Sequence, residues 1–173
     1  MVKSLTLTGM MGVGKSTTGK NLAKKLNYNF FDVDELIENK EGMSINLIFQ
    51  NKSESYFRKI ESETTISLLN KKRSVISLGG GAFLNNSLRK SIKRLTVSFW
   101  LDVPIDLLIN RLKCSKKRPL LNNRNTKETI KKLYFERKKI YSEADFKIKC
   151  KSFKTDIIVD KILKYYENSR NQI

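Results

Sequence analysis

The chain has 173 residues and a formal net charge of +18, which predicts one folded domain and suggests polyanionic or anionic partners. It contains no histidine, which excludes Ser-His-Asp triads and histidine-ligated zinc and leaves proton transfer to carboxylates, Lys, Tyr or Cys. No stretch of apolar residues approaches the roughly 18 that a membrane span needs, and we expect no secretory leader before the first motif. The two cysteines lack the spacing of a metal site. We expect a cytoplasmic protein without a membrane partner.

The first element is a strand near 2–8, where apolar and polar residues alternate. It leads into residues 9–16, Gly-Met-Met-Gly-Val-Gly-Lys-Ser, which match the phosphate-binding pattern G-x-x-x-x-G-K-[ST]. A helix near 15–26 follows, as this pattern requires. In such a loop the backbone N–H groups cradle phosphates, the lysine reaches the β- and γ-phosphates, and the serine hydroxyl can bind Mg²⁺. The expected nucleotide-binding residues are Gly12, Val13, Gly14, Lys15, Ser16 and Thr17.

Two carboxylates, Asp32 and Asp34, stand at the end of the second predicted strand, near 29–33. Alternate residues of a strand point to the same side, so these groups repel each other unless a cation or a hydrogen-bonding substrate lies beside them. Near a phosphate loop that cation is Mg²⁺. The alternative is structural, since Asp34 suits the N-cap of a helix beginning at Glu35.

Two arginines are candidates for binding an anion. Arg58 lies three residues before Glu61 on a predicted helix, so the carboxylate could hold the guanidinium in place, although an exposed ion pair of little consequence fits the same spacing. Arg137 falls inside an apolar helical stripe, where a buried arginine needs an anion such as a substrate carboxylate. Its alternatives are snorkelling and a structural ion pair.

Strands and helices alternate along the chain, which predicts an α/β fold with a parallel sheet covered on both faces. The third strand ends in Gly79, Gly80 and Gly81, an open backbone turn at the edge where parallel sheets bind ligands. Strands are predicted near 2–8, 29–33, 74–78, 96–101 and 146–150, and helices near 15–26, 34–40, 44–51, 54–70, 86–92, 104–112, 126–141 and 155–168.

A polar, basic segment at 113–125 interrupts the helical pattern and contains Pro119 and a pair of asparagines. Its length and composition are typical of a lid that closes over a site. An ordinary surface loop has the same composition.

Taken together, these motifs resemble those of shikimate kinases, which belong to the nucleoside-monophosphate-kinase-like P-loop group. The resemblance spans nearly the whole chain. The phosphate loop alone would indicate only nucleotide binding, whereas the set in this order is much more specific. Its elements are Gly-Met-Met-Gly-Val-Gly-Lys-Ser-Thr at 9–17, Phe-Asp-Val-Asp at 31–34, Phe-Arg-x-x-Glu at 57–61, Leu-Gly-Gly-Gly-Ala at 78–82, Arg-Pro-Leu-Leu at 118–121 and Arg-x-x-x-Tyr at 137–141.

The resemblance implies a single P-loop kinase domain over 1–173, with a five-stranded parallel sheet, a substrate-binding region at about 34–61 and a lid at about 113–125. It implies transfer of the γ-phosphate of ATP to the 3-hydroxyl of shikimate, with Mg²⁺ as cofactor, in aromatic amino acid biosynthesis. The resemblance implies that Lys15, Asp34 and Arg118 are catalytic, and that Arg111 and Arg118 bind ATP together with the phosphate loop. It implies that Ser16 and Asp32 organise Mg²⁺. The residues that it implies for shikimate binding are Asp34, Phe49, Phe57, Arg58, Gly79, Gly80, Gly81 and Arg137.

Two alternatives stay open at this point. Another small-molecule P-loop kinase, acting on gluconate or a nucleotide, would share the loop and the lid. A basic nucleic-acid-binding ATPase would explain the positive charge and would bind DNA or RNA with steep salt dependence. Scattered lysines without interleaved aromatic residues are weak evidence for nucleic acid, and another kinase would not be expected to combine Asp-x-Asp, Phe-Arg-x-x-Glu and the triple glycine. The partners we expect are ATP and shikimate, with no nucleic acid, and the chain is expected to be a monomer.

Overall fold

The computed structural model describes residues 3–113 and 126–170. Within these ranges the chain alternates between strands and helices, as the hydrophobic pattern predicts, and a 3-10 turn at Ala82–Leu84 follows the third strand. The strands are β1 (Ser4–Thr8), β2 (Asn29–Asp32), β3 (Ser74–Ser77), β4 (Thr96–Asp102) and β5 (Phe146–Lys149). The helices are α1 (Lys15–Leu26), α2 (Val33–Glu41), α3 (Ile45–Asn51), α4 (Glu54–Leu69), α5 (Asn86–Leu95), α6 (Ile105–Lys113), α7 (Thr126–Tyr141) and α8 (Thr155–Arg170).

The five strands form one parallel sheet in the order β2-β3-β1-β4-β5. The central strand β1 is buried along its whole length, as expected when helices cover both faces of a parallel sheet. The edge strand β5 instead alternates between exposed and buried residues. The predicted α/β class and the five-stranded sheet are confirmed.

The direction of the strand connections decides where helices lie. From β1 the chain moves toward one edge of the sheet to form β2, whereas from β3 it moves toward the opposite edge to form β4. Because both crossovers are right-handed, these opposite directions place α1 and α5 on opposite faces of the sheet. The packing agrees, because α1 contacts α8 while α5 contacts α4. Ligands of such sheets bind where the strand order reverses, at the carboxyl ends of the strands. Here that point lies beside β1.

The start of α2 corrects one sequence interpretation. Strand β2 ends at Asp32, so Asp32 and Asp34 do not share one side of a strand. Asp32 is the N-cap, and its Oδ1 accepts hydrogen bonds from the backbone N–H groups of Asp34 at 3.1 Å and Glu35 at 3.4 Å. Asp34 therefore lies in the first turn of the helix and is not its cap, because the helix begins at Val33, two residues before the Glu35 start of the capping alternative.

None of the helices in 3–113 and 126–170 is long and apolar enough to cross a lipid bilayer.

Candidate active site

A cavity of about 630 Å³ opens at the carboxyl ends of β1, β2 and β3. It is lined by the loop after β1, the starts of α1 and α2, the helices α3 and α4, the turn after β3, the end of α6, and α7. The predicted site residues that line it are Gly12, Gly14, Lys15, Ser16, Thr17, Asp32, Asp34, Phe49, Phe57, Arg58, Gly80, Gly81, Arg111 and Arg137. Met11, Glu38, Ile45, Glu61 and Leu112 also line it, although no sequence motif assigned them to a ligand.

The loop between β1 and α1 has the backbone conformation that its glycines predict. Gly12 and Gly14 have φ angles of 79° and 96°, in the left-handed region that residues with a side chain rarely adopt. The buried side chain of Lys15 folds over the loop, and its Nζ donates to the carbonyl oxygens of Gly9 at 3.0 Å and Met10 at 3.1 Å. The ammonium group is thus held where the loop surrounds a phosphate.

Ser16 and Asp32 meet at the edge of this loop. The Ser16 hydroxyl donates to Asp32 Oδ2 at 2.5 Å, so two hard oxygen ligands stand side by side. Mg²⁺ is usually held by one or two protein oxygens together with phosphate oxygens and waters. The pair fits that pattern, and no cluster of three or more acidic, histidine or cysteine ligands occurs in the described part of the chain.

The glycine turn after β3 allows charged side chains to approach the backbone closely. A methyl group added at Gly79 would overlap Glu61 Oε1 and lie 2.8 Å from Asp34 Oδ1, and one added at Gly81 would overlap the Arg58 guanidinium. Gly79 does not itself line the cavity. Its contribution in the structure is the space that lets Glu61 and Asp34 come together.

Arg58 is held by two carboxylates and two aromatic rings. Its guanidinium donates to Glu61 Oε2 at 2.8 Å and Glu54 Oε1 at 3.0 Å. It also lies 5.2 Å from the ring centroid of Phe57 and 6.0 Å from that of Phe49, and these two rings pack 5.0 Å apart. The predicted Arg58–Glu61 pair is therefore present, and it is largely shielded from solvent on the glutamate side.

Glu61 is the most deeply buried acid of the site, with 2% of its surface exposed. Its Oε1 has no hydrogen-bond partner among the described residues. Burial raises the pKa of the Glu61 carboxyl, the neighbouring Asp34 raises it further, and Arg58 and Arg137 oppose the shift without cancelling it.

Glu61→Gln tests this pKa shift through thermal stability. A carboxyl whose pKa is raised on folding makes the free energy of unfolding fall as the pH rises above the ordinary range of a glutamate, because the folded chain binds the proton more tightly. Glutamine cannot ionise, so the Tm of the variant relative to the wild type should rise between about pH 5 and pH 8. Glu63→Gln, an exposed position on the same helix, is the control. A flat or falling difference for Glu61→Gln would contradict the shift.

Helix α7 brings Arg137 and Tyr141 to the same backbone atom. Arg137 is 8% exposed and Tyr141 is 1% exposed, as the apolar stripe predicts. Arg137 Nη1 donates to the carbonyl oxygen of Gly80 at 3.2 Å, and the Tyr141 hydroxyl donates to the same oxygen at 2.5 Å. The sequence placed Tyr141 on the stripe but gave no sign of this hydrogen bond, since Gly80 is 61 residues away.

Arg111 lies between the main cavity and a second one of about 610 Å³, which is bordered by α6, α8 and the loop after β5. Its guanidinium is 4.3 Å from the ring centroid of Phe153. Val13 lines this second cavity and not the first. Sequence reasoning missed Phe153, for which the only available signal was a single aromatic residue in the otherwise polar segment 150–155.

The predicted lid at 113–125 lies outside the described residues except for its first residue, Lys113. The predicted lid arginine, Arg118, also lies outside them.

Over nearly its whole length the chain is similar to shikimate kinases. A family model described as shikimate kinase matches residues 11–167. The shikimate kinase of Thermodesulfovibrio yellowstonii is 41% identical over 98% of this chain and 98% of its own length. The structure of shikimate kinase from Acinetobacter baumannii in complex with shikimate covers 98% of this chain and 95% of that chain, with a TM-score of 0.94 at 31% identity. A gluconokinase from Sinorhizobium meliloti, which matches 99% of this chain and 97% of its own, has a TM-score of 0.62 at 14% identity and shares the fold alone.

Proposed function

The chain belongs to the shikimate kinase family, and from this premise we propose how its cavity transfers the γ-phosphoryl group of ATP to the 3-hydroxyl of shikimate. The products are shikimate 3-phosphate and ADP, and the reaction is a step of aromatic amino acid biosynthesis. One observation carries the assignment of roles. A single cavity contains the phosphate-loop lysine, a carboxylate at Asp34, and two arginines, Arg58 and Arg137, that can bind a second anion.

On the donor side, the loop N–H groups and Lys15 bind the β- and γ-phosphates of ATP. Ser16 and Asp32 are the residues that would hold Mg²⁺, because their oxygens already lie side by side. When bound, Mg²⁺ neutralises charge on the phosphates. Lys15 contributes positive charge at the oxygens where negative charge develops, and its contacts with Gly9 and Met10 hold it close to that position.

The adenine base fits the second cavity, where Arg111 offers a planar cation for stacking. The ring of Phe153 lies against that guanidinium, so the base would have to share this surface with it. The predicted contacts of Arg118 with the phosphates stay a prediction.

On the acceptor side, Arg58 and Arg137 bind the carboxylate of shikimate. The rings of Phe49 and Phe57 line the apolar side of the cyclohexene ring. The backbone of Gly80 and Gly81 completes the subsite, and Gly79 makes room for Asp34 beside it. Asp34 accepts hydrogen bonds from ring hydroxyls. Residues 34–61 then form the acceptor-binding region of a single kinase domain, and we expect this domain to act as a cytoplasmic monomer.

In the transfer step, the 3-hydroxyl oxygen forms a bond to the γ-phosphorus as the bond between that phosphorus and the β–γ bridging oxygen breaks. The hydroxyl proton passes to a carboxylate oxygen of Asp34, and ADP leaves with the bridging oxygen. Phosphoryl transfer requires positioning and charge stabilisation more than covalent assistance. The aromatic rings of the acceptor side limit the access of water, which would otherwise compete as the nucleophile.

The proposed function is tested by ATP consumption in the presence of Mg²⁺ with shikimate, quinate, gluconate and nucleoside monophosphates as separate acceptors. We expect strong stimulation by shikimate alone, with a phosphorylated shikimate product identified by mass spectrometry. Stimulation by gluconate or a nucleotide instead would overturn the acceptor assignment while leaving the phosphate loop as the ATP site.

A further inference from the structure

Two side chains of α7 converge on the Gly80 carbonyl, and only one of them has a role in the proposed reaction. Arg137 and Tyr141 are four residues apart and so project from the same face of the helix. Both donate to that one oxygen. Arg137 is assigned to the substrate carboxylate, which leaves the function of the buried Tyr141 hydroxyl unexplained.

The other carbonyls of the glycine turn are fixed by the backbone itself. Gly79 O accepts from the Ala82 N–H at 3.2 Å, and Gly81 O accepts from the Leu84 N–H at 3.0 Å. Gly80 O has only side-chain donors within the described ranges, and both of them come from α7. The orientation of the peptide that follows Gly80 therefore depends on side chains from a distant helix.

Gly80 stands between the two halves of the cavity. A methyl group added there would lie 3.4 Å from the Met11 backbone nitrogen and 3.9 Å from the Gly9 carbonyl oxygen, so the glycine packs beside the phosphate loop. On its other side it contacts Arg137. A shift of this residue would change the distance between the acceptor subsite and the phosphates.

We propose that Tyr141 is a positioning residue of the acceptor subsite, whose hydroxyl holds the Gly80 carbonyl in place while Arg137 binds the substrate carboxylate. This inference rests on the proposed function. Arg137 must serve two acceptors, and any movement of its guanidinium toward a carboxylate weakens its hydrogen bond to Gly80. Tyr141 is assigned to no substrate group, and beyond Gly80 its hydroxyl donates only to Met10 Sδ among the described residues, over a long distance of 4.0 Å. It can therefore keep the glycine turn oriented throughout the catalytic cycle.

The chain offers a matched control on the same helix. The Tyr134 hydroxyl donates to Asp102 Oδ1 at 3.2 Å, which links α7 to the end of β4 and away from Gly80. Burial raises the pKa of Tyr141, and burial together with Asp102 raises the pKa of Tyr134 to about 12. Both hydroxyls are therefore protonated near neutral pH and able to donate. Each Tyr→Phe change removes one hydrogen-bond donor and no ring.

Tyr141→Phe should raise the KM for shikimate about tenfold, because a partly buried carbonyl loses one of its two donors. The KM for ATP should change less than about twofold, since Lys15 holds the loop through the Gly9 and Met10 carbonyl oxygens and the 4.0 Å contact between Tyr141 and Met10 Sδ is weak. Tyr134→Phe should leave both constants near the wild-type values. Steady-state kinetics with each substrate varied in turn, at a temperature where thermal unfolding shows every variant folded, measures the difference.

A double-variant cycle with Arg137→Lys provides the second test. The double variant loses both the guanidinium contact of Arg137 and the hydroxyl contact of Tyr141 with Gly80 O. If both side chains act through this oxygen, the double variant should raise the KM for shikimate by more than the product of the two single effects. An unchanged KM for shikimate in Tyr141→Phe, equal increases for both substrates, or a purely multiplicative cycle would each overturn the inference. If the wild type does not phosphorylate shikimate, the proposed function fails and the inference fails with it.

Discussion

Lys15→Ala should lower kcat by about 10²- to 10³-fold, the loss typical of removing one preorganised group that stabilises developing charge. Lys15 is 9% exposed, and its ammonium group is already held by the carbonyl oxygens of Gly9 and Met10. It therefore needs little reorganisation when the phosphates arrive. The KM for ATP should also rise, because the lysine is proposed to contact the phosphates before the reaction as well as during it. Steady-state kinetics with saturating shikimate and varied ATP measures both effects.

Lys24→Ala is the matched control for this change. Lys24 is exposed and lies near the end of the same helix α1, so its removal takes one positive charge from the protein without touching the loop. We expect kcat and both KM values to stay within about twofold. Turnover by Lys15→Ala at the wild-type rate, with the variant shown to be folded, would refute the role of Lys15. An equal loss in Lys24→Ala would assign the effect to the overall charge.

Features that depend on neighbours along the chain could be predicted from the sequence. The phosphate loop has its glycines at fixed spacing, and the structure places Gly12 and Gly14 at positive φ as that spacing requires. Arg58 and Glu61 are three residues apart on a helix and form the expected pair. Arg137 is buried on the predicted apolar stripe.

Features that depend on contacts between distant segments could not be predicted. Nothing local to Tyr141 indicates that its hydroxyl reaches Gly80, and nothing local to Gly79 indicates that it makes room for Glu61 and Asp34. The capping alternative named Asp34, whereas the cap is Asp32; both aspartates are good capping residues, and the choice depends on where pairing with β3 ends. Tertiary packing decides these points.

The assignment of Asp34 depends on its environment more than on its spacing. Its position in the first turn of α2 would suit a residue that only stabilises the helix dipole. Asp34 also lines the cavity, faces Glu61 across Gly79, and lies close to the residues proposed to bind the acceptor. A purely structural acid and a proton acceptor should therefore be distinguishable by kinetics.

Asp34→Asn should lower kcat by about 10²- to 10⁴-fold if the carboxylate takes the proton of the 3-hydroxyl, which is the usual range for general base catalysis. The amide keeps the shape of the side chain and can still hydrogen-bond ring hydroxyls, so the KM for shikimate should change much less. The KM for ATP should be close to that of the wild type, because Ser16 and Asp32, the residues proposed to hold Mg²⁺, remain in place. Both constants are obtained by varying each substrate at saturating levels of the other.

Asp106→Asn is a close control, since Asp106 is an exposed acid in the first turn of another helix, α6. It removes the same charge from an equivalent helical position that lines neither cavity and should leave kcat unchanged. Loss of ATP affinity in Asp34→Asn with little change in kcat would instead make Asp34 a metal ligand. A decrease in kcat of less than about tenfold would mean that proton transfer contributes little to catalysis, which a loose transition state permits. Asp34 would then orient the hydroxyl without acting as its base.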